Sequence, residues 1–454
     1  MIHERFFRQI LPRLALCAVL GPQIACQAPD RAPWFVGKSE EAQNIAAICR
    51  SMEHINATGT VLAAKGGEVI FAGVLGDPEN ANGMDANTLL EIASATKQIT
   101  GAAAAYLHEH GKLDLDAPIS KYLKGVPESC KAITVRNLLQ HTSGIPGRVI
   151  EGGHGTLQQA IDAFLGGGPK HEPGTHWEYW NQGYALTAAI IEQVSGKTFQ
   201  KFCRDYLFRP AGMKTACFTG DPLPRGAHQA TGTGAAAARK ALDHPYGNKY
   251  SWQYKGMGGA VMSVWDLWHW DRALHTDKPL GEAGKAQLFS VGLDDYALGW
   301  RVTNNGRLTH KHSGSVRGFN CDVRRYPDDD AFLVVLCNRD DRNAGRIITQ
   351  CEAALFGDAF TMPPRPLSKE DQEAIVGSYE DKGGLKVEIE ADGRQTKAFI
   401  CWGGHRPRFS TTYIGWTPDS KLVLYEWNSQ SSMTMTKKDG KVDLTLGRSK
   451  LVRK

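Results

Sequence analysis

The 454-residue chain lacks several patterns that would assign it to a special class of protein. It has no internal repeat, and its 49 glycines and 21 prolines are close to average usage, which excludes collagen-like and low-complexity chains. Its 42% hydrophobic and 22% charged residues exclude a mostly disordered chain and a polytopic membrane protein. It has no C-x-x-C pair and no Cys/His spacing typical of a metal site. We therefore expect a globular protein with no metal and no cofactor.

Positive charge is not concentrated where it would favour nucleic acid. The formal net charge is +5, and residues 365–454 hold 16 Lys and Arg against 12 Asp and Glu. We interpret this C-terminal excess as a solvated β surface rather than a contact with an anionic partner. We expect no nucleic-acid partner.

The first 28 residues have the order of an export signal. Three arginines precede a short apolar stretch at residues 14–20, and small residues follow at 25–28. The stretch is too short to cross a bilayer, so we predict a signal peptide at residues 1–28 and an exported, periplasmic or secreted protein. Residues 23–26 resemble a bacterial lipobox, which would make Cys26 a lipid-modified membrane tether. Against this second interpretation, Gln23 stands where an aliphatic residue is usual.

The pattern of apolar residues predicts an α+β domain over residues 29–364. A hairpin is predicted from Thr60 to Phe71 and on to Val74, turning at residues 65–67. The other predicted elements are helices at Ala95–His110, Gln182–Val194, Val264–Leu274 and Ala344–Leu355, and strands at Leu298–Val302, Leu308–His312, Phe319–Arg325 and Phe332–Cys337. Strands at both ends with helices between them predict one antiparallel sheet built from both ends of the domain and flanked by helices.

Prolines at 363, 364 and 366 mark a boundary, and the pattern beyond them is all β. The predicted strands are Leu385–Ile389, Ala398–Cys401, Lys421–Tyr425, Met433–Thr436 and Val442–Leu446. We predict a small antiparallel barrel or sandwich at residues 365–454. Cys321 and Cys337 flank a turn between two predicted strands, which leaves a cross-strand disulfide open, although isolated buried thiols are the simpler interpretation.

Ser94 and Lys97 are candidate catalytic residues, because they stand three apart where a strand leads into a helix. Residues three apart on a helix share a face, so a neutral Lys97 amine could accept the Ser94 proton. That needs burial or nearby positive charge to lower the lysine pKa. Alone, the pattern S-x-x-K also fits a capping serine with a surface lysine.

Two later segments add to this pair. Tyr179 precedes Asn181 just before a predicted helix, and a tyrosine whose pKa is lowered by a lysine can shuttle protons to a leaving group. His312 and Gly314 lie at the end of a predicted strand, where glycine allows a substrate backbone to approach closely. Alone, the Tyr179 segment fits a core aromatic residue and a helix cap better than a catalytic role, and the His312 segment is also weak evidence.

The three segments in this order resemble the serine β-lactamase and penicillin-binding protein superfamily, with its S-x-x-K, Y-x-N and K-T-G or H-x-G motifs. Residues 133–146 (ITVRNLLQHTSGIP), residues 112–118 (KLDLDAP), Gly258-Gly259 and residues 298–300 (LGW) are similar to the branch that holds class C β-lactamases, DD-carboxypeptidases, D-aminopeptidases and family VIII-type esterases. The resemblance spans residues 59–355. It implies a β-lactamase/transpeptidase-like fold with a helical subdomain, and a C-terminal region similar to the lipocalin-like appendage of some members.

The resemblance also implies roles for these residues. Ser94 is the acylated nucleophile and Lys97 its general base, while Tyr179 protonates the leaving group and activates the deacylating water. The substrate-binding residues are Asn181, His312, Gly314 and Ser315, with the backbone N–H groups of Ser94 and Ser315 as the oxyanion hole. His141 is expected to hold its loop rather than to catalyse.

The expected function is an exported serine hydrolase acting on a small-molecule or short-peptide amide or ester, as a D-amino-acid peptidase, carboxypeptidase or esterase. A β-lactamase is a second candidate, weakened because His312 replaces a lysine and is mostly neutral at pH 7. At an ordinary pKa of about 6.5, His312 would gain charge as the pH falls from 8 to 6 and favour anionic substrates. A third candidate is a penicillin- or cell-wall-peptide-binding protein with little turnover.

Overall fold

The computed structural model describes residues 30–147, 155–234, 238–246, 250–340, 344–401, 412–426, 429–438, 441–447 and 449–454. The predicted signal peptide at residues 1–28, with Cys26, lies outside these residues. Across the described ranges, no helix combines the length and the apolar character that crossing a bilayer requires.

The described elements alternate between helices and strands up to Phe356 and are mostly strands after it. The α-helices are α1 (Glu40–Ser51), α2 (Lys97–Glu109), α3 (Val135–Leu139), α4 (Leu157–Leu165), α5 (Asn181–Ser195), α6 (Phe199–Cys203), α7 (Val264–Leu274), α8 (Glu282–Leu288), α9 (Ala344–Phe356) and α10 (Lys369–Ile375). The strands are β1 (Phe35–Val36), β2 (Gly59–Lys65), β3 (Glu68–Leu75), β4 (Leu90–Glu91), β5 (Cys217–Phe218), β6 (Thr231–Gly232), β7 (Arg239–Lys240), β8 (Ala260–Met262), β9 (Arg301–Asn304), β10 (Leu308–Val316), β11 (Phe319–Tyr326), β12 (Ala331–Cys337), β13 (Gly377–Glu380), β14 (Lys386–Asp392), β15 (Gln395–Cys401), β16 (Thr412–Trp416), β17 (Leu422–Glu426), β18 (Ser429–Lys438), β19 (Lys441–Leu446) and β20 (Ser449–Arg453).

A seven-stranded antiparallel sheet organises the first part of the chain, in the order β1-β3-β2-β12-β11-β10-β9. Strands from both ends of the domain therefore meet in one sheet, which confirms the predicted α+β class. Helices α1 and α9 pack on one face, and the larger core containing α2, α5 and α7 lies on the other.

Local sequence explains several of these elements. The β2–β3 hairpin turns through Gly66 and Gly67, whose φ angles of 59° and 75° favour glycine. Ser263 caps α7 in a capping box with Asp266. The predicted helix Val264–Leu274 is confirmed with the same bounds.

The C-terminal region forms a closed barrel of eight strands, β13 to β20, which confirms the predicted small all-β region. Three of its strands, β13, β16 and β20, were not predicted from the sequence. Arg365 pairs with Trp416 of β16 through two backbone hydrogen bonds of 2.8 Å. The domain boundary at 364/365 stays a prediction.

The thiols of Cys321 and Cys337 do not face each other. Cys321 lies opposite Leu336, and Cys337 lies opposite Asn320. Because side chains alternate across a strand, the two cysteines point to opposite faces of the sheet, and each belongs to a different core. This confirms the interpretation as separate buried thiols.

Candidate active site

A tight turn places Ser94 at the start of α2. Residues Ala93–Thr96 form a 3-10 helix that leads into α2 at Lys97. Ala93 adopts a left-handed φ of 45°, which costs an L-residue about 1–2 kcal/mol. The contacts around this turn must therefore hold Ser94 in place, as is common where backbone strain occurs at a functional site.

Lys97 is fully buried and makes three hydrogen bonds through Nζ. Its neighbours are Ser94 Oγ at 3.1 Å, Asn181 Oδ1 at 2.8 Å and the Met257 carbonyl oxygen at 2.9 Å. Burial lowers the pKa of Lys97 well below its usual value.

The hydrogen-bond count fits a neutral amine. A neutral Lys97 amine has two N–H groups and one lone pair, and the oxygens of Asn181 and Met257 can only accept. When they take the two N–H groups, the lone pair remains for the Ser94 hydroxyl. The arrangement suits proton transfer from Ser94 to Lys97.

Tyr179 lies next to Ser94 and Lys97. Its pKa is not lowered, contrary to the role predicted for it from the sequence. Its phenol is hydrogen-bonded to Ser94, and Lys97 Nζ lies 5.0 Å from its ring centroid. Burial raises the pKa of Tyr179 to about 12. The cause is burial, because a phenolate loses its hydration in the protein interior and the hydrogen bond to Ser94 offsets only part of that loss.

His312 is held as a neutral ring. Its Nδ1 lies 2.6 Å from the carbonyl oxygen of Ser313, and its Nε2 lies 2.8 Å from Oη of Tyr296. A carbonyl only accepts, so Nδ1 carries the proton and Nε2 accepts from Tyr296. Burial, and then the neighbouring Lys97, lower the pKa of His312 to about 3. The expectation of an ordinary histidine pKa near 6.5 is therefore wrong.

His141 supports the loop in front of α5. Its Nδ1 accepts the backbone N–H of Trp180 at 3.1 Å. Its ring centroid lies 4.3 Å from that of Tyr179 and 4.6 Å from that of Tyr296. These contacts confirm that His141 holds its loop through a hydrogen bond.

The structure brings all seven predicted site residues together. A cavity of about 450 Å³ is lined by Ser94, Tyr179, His312, Gly314 and Ser315, while Lys97 and Asn181 contact each other beside it. At Gly314 a Cβ atom would lie 2.9 Å from the Ser94 nitrogen and 2.3 Å from the Ile92 carbonyl. Only glycine therefore lets β10 approach the serine turn so closely.

Seven further residues line the same cavity and were not predicted as site residues. They are Tyr296, Arg301, Lys311, Ser313, Asn320, Asp322 and Arg324. Lys311 is next to His312 in sequence, and because side chains alternate along a strand, spacing alone would place it on the other face of the sheet. Tyr296 and Arg301 reach the site only through the fold.

The fold and the serine-centred site define a class of protein that contains β-lactamases and penicillin-binding proteins. Residues 45–354 match the Beta-lactamase family, and the chain belongs to this family, whose members are serine hydrolases. It is 30% identical over 374 residues to penicillin-binding protein 4* of Bacillus subtilis (strain 168), covering 74% of this chain and 82% of that protein.

Two solved structures confirm the fold. An octameric penicillin-binding protein homologue from Pyrococcus abyssi superposes with a TM-score of 0.62 at 22% identity, over 91% of this chain and 100% of that one. The D-amino acid amidase from Ochrobactrum anthropi SV3, in complex with L-phenylalanine amide, gives a TM-score of 0.59 at 21% identity, over 70% and 98% of the two chains.

Proposed function

We propose that this protein is a serine hydrolase that cleaves an amide or ester through an acyl-enzyme on Ser94. The observation that carries the proposal is the buried Lys97 amine, 3.1 Å from Ser94 Oγ and bonded to two acceptors. It is a preorganised base for a hydroxyl nucleophile.

In the acylation step, Ser94 Oγ attacks the substrate carbonyl carbon while its proton passes to Lys97 Nζ. The carbonyl oxygen becomes an oxyanion, and we assign its stabilisation to the backbone N–H groups of Ser94 and Ser315. Tyr179, protonated because its pKa is raised, gives its proton to the leaving nitrogen or oxygen as that bond breaks. Asn181 orients the substrate, and Gly314 leaves room for it.

Deacylation reverses these transfers. The Tyr179 phenolate, now next to a Lys97 ammonium, takes a proton from water while the hydroxide attacks the acyl carbon. Ser94 Oγ then leaves with the proton from Lys97, and every group returns to its starting state.

We favour an amide of a D-amino acid, a D-peptide or a simple ester as substrate. The names of the related penicillin-binding proteins and of the D-amino acid amidase support this choice. The neutral His312 weighs against efficient β-lactam hydrolysis, because it offers no charge to a β-lactam carboxylate.

A substrate panel tests the proposal. It contains p-nitrophenyl esters, D-amino-acid amides, D-Ala-D-Ala peptides and nitrocefin, assayed with the wild type and with Ser94→Ala. We expect turnover of an amide or ester that Ser94→Ala abolishes. Labelling of Ser94 by a fluorophosphonate without turnover of any substrate would instead identify a binding protein.

We also propose export, with residues 1–28 removed. The charge order and short apolar stretch of this segment support it. Mass spectrometry of the protein from its native host should show a chain that begins near residue 29. A lipid-modified N-terminal Cys26 would support the membrane-tethered form instead, and an intact Met1 would contradict export.

A further inference from the structure

A buried carboxylate stands three residues before Ser94 in the sequence. Glu91 lies on β4 opposite Val261 of β8, and its side chain has no exposed surface. Glu91 is not among the described residues that line the active-site cavity. A buried charge is strongly destabilising unless hydrogen bonds and an opposite charge satisfy it. The partners of Glu91 therefore show which parts of the molecule this side chain holds in place.

Three donors satisfy the Glu91 carboxylate, and all three belong to residues 239–259. The Tyr254 hydroxyl donates to Oε1 at 2.5 Å, and the Arg239 guanidinium donates to Oε2. The backbone N–H of Gly259 also donates to the carboxylate. Burial raises the pKa of Glu91, and the positive charge of Arg239 opposes that rise. Because every partner is a donor, the arrangement suits the ionised carboxylate.

The Tyr254 contact leads to the catalytic base. Tyr254 and Gly259 bracket Met257, whose carbonyl oxygen accepts from Lys97 Nζ at 2.9 Å. At Gly258 a Cβ atom would lie 2.4 Å from the Tyr254 ring, so the peptide unit after Met257 packs directly on that ring. A movement of Tyr254 would therefore move the carbonyl that holds Lys97.

The Arg239 contact leads to the oxyanion side of the site. Besides its bond to Glu91, Arg239 donates from Nε to the carbonyl oxygen of Arg317 at 2.8 Å. Arg317 lies in the turn between β10 and β11, two residues after Ser315, whose backbone N–H we assign to the oxyanion hole. One buried carboxylate is thus connected to both sides of the proposed reaction.

We propose that Glu91 is a positioning residue for acyl transfer. Through Tyr254 it holds the acceptor of Lys97, and through Arg239 it holds the turn that follows Ser315. The inference rests on the proposed function, because it explains how the base and the oxyanion hole of that reaction are kept at fixed positions. Glu91 itself touches no reacting atom. A misplacement of 1 Å can lower a rate about a hundredfold, so loss of these contacts should slow the chemistry while substrate still binds.

The kinetic test removes one hydroxyl group. Tyr254→Phe deletes a donor to Glu91 and keeps the ring. For a substrate identified by the panel, we expect kcat to fall about 10- to 100-fold with KM nearly unchanged. The matched control is Tyr326→Phe, which deletes a 2.8 Å hydrogen bond to Glu352 in the core on the other face of the sheet. Its thermal stability should fall by a similar amount while kcat is kept.

A second variant removes the charge. Glu91→Gln keeps the shape of the side chain but loses the negative charge that Arg239 pairs with, so kcat should fall at least as far as in Tyr254→Phe. Because the two changes act through one contact, the double variant should lose no more than Glu91→Gln alone. If Glu91→Gln does not fold, Tyr254→Phe decides the question by itself.

Crystal structures separate this inference from the proposed function. In Tyr254→Phe the distance from the Met257 oxygen to Lys97 Nζ should exceed the 2.9 Å of the wild type. That result supports the positioning role even if no substrate of the panel is hydrolysed. A Met257 carbonyl that stays on Lys97 in Tyr254→Phe, or a kcat that falls no further than in Tyr326→Phe, would overturn it.

Discussion

At the scale of single residues, the site depends on groups that burial keeps neutral. Lys97 and His312 are the two basic side chains in the motifs that contain the predicted site residues. Burial lowers the pKa of both. A neutral base next to a protonated Tyr179 is the starting state that acyl transfer needs.

Replacing Lys97 tests the base directly. Lys97→Ala should lower kcat/KM by about 10²–10⁴, the usual contribution of a positioned general base. A circular dichroism melt should show that the variant is folded. A folded Lys97→Ala protein with near wild-type turnover would assign the base to another group.

The pH profile gives an independent test through Asn181. Activity needs neutral Lys97, so it should rise as the pH rises through the lowered pKa of this lysine. Asn181→Asp places a carboxylate at the 2.8 Å contact, which favours the ammonium and raises that pKa. The acid limb of kcat/KM should therefore move to higher pH.

The control for this shift is Gln43→Glu, an amide-to-acid change on α1, which should leave the limb in place. An unmoved acid limb in Asn181→Asp would show that Lys97 does not set it.

The lowered pKa of His312 predicts the opposite pH dependence from the one that an ordinary histidine pKa would give. With its pKa lowered to about 3, the ring stays neutral as the pH falls from 8 to 6. The ratio of kcat/KM for D-alanyl-glycine over D-alanyl-glycinamide should not gain from a new charge at His312 in this range, and His312→Gln should leave its pH dependence unchanged. A ratio that rises toward pH 6 in the wild type but not in His312→Gln would show that His312 does become charged.

At the scale of elements, α2 is positioned by a close backbone contact. At Gly101 a Cβ atom would lie 2.0 Å from the Leu298 carbonyl oxygen, and at Gly299 one would lie 2.3 Å from the Lys97 carbonyl oxygen. Helix α2 therefore approaches residues 298–299 more closely than any side chain allows. The contact fixes the first turn of α2, which carries Lys97.

Gly101→Ala should break this contact. We expect a loss of about 1–3 kcal/mol in the free energy of unfolding, as for other overpacked sites, and a fall in kcat/KM because Lys97 moves relative to Ser94. Denaturant unfolding and the ester assay measure the two effects.

The control is Gly111→Ala. Gly111 has a φ of 64°, but no atom lies within 4 Å of an added Cβ, so this variant should lose stability while kcat/KM is unchanged. Full activity in Gly101→Ala would mean that α2 adjusts without moving Lys97.

The same contact shows why sequence patterns predicted only part of the secondary structure. The hairpin and α7 follow from local turn and capping residues, and they were found. The predicted strand at Leu298–Val302 is wrong over its first half, because Gly299 takes a φ of 84° against α2 and β9 begins only at Arg301. The strands β13, β16 and β20 depend on barrel closure, which a local pattern does not contain.

The site residues are also of two kinds: those that a short motif predicts, and those that only the fold brings together. Ser94, Lys97, Tyr179 and His312 lie in short motifs, which the sequence shows. Tyr296 is bonded to His312 from 16 residues away, and Arg301, Lys311 and Arg324 are brought together only by the register of three strands. Neither the pairing nor the burial that lowers the pKa of His312 can be predicted from spacing alone.

At the scale of the whole molecule, the barrel shares a core with the catalytic sheet. Tyr413 and Tyr425 of the barrel belong to the same apolar cluster as Ile48 of α1 and Ile347 of α9. Tyr425 is fully buried and is hydrogen-bonded to Thr361, before the proline-rich boundary. The barrel therefore covers the outer face of α1 and α9, on the other side of the sheet from Lys97.

Removal of the barrel should lower the stability of the protein but leave the reactivity of Ser94 intact. The described residues that line the active-site cavity all lie between Ser94 and Arg324, so a fragment of residues 30–364 should still react with a fluorophosphonate at Ser94 at low temperature. The fragment exposes the apolar surface that Tyr413 and Tyr425 cover, at about 1.5–3 kcal/mol for each large side chain. Its Tm should therefore lie several degrees below that of residues 30–454, and Tyr425→Ala in the longer chain should also lower the Tm.

A fragment with an unchanged Tm would show that the shared cluster adds nothing to stability. A fragment that does not fold at all would show that residues 30–454 are one folding unit, with no boundary at 364.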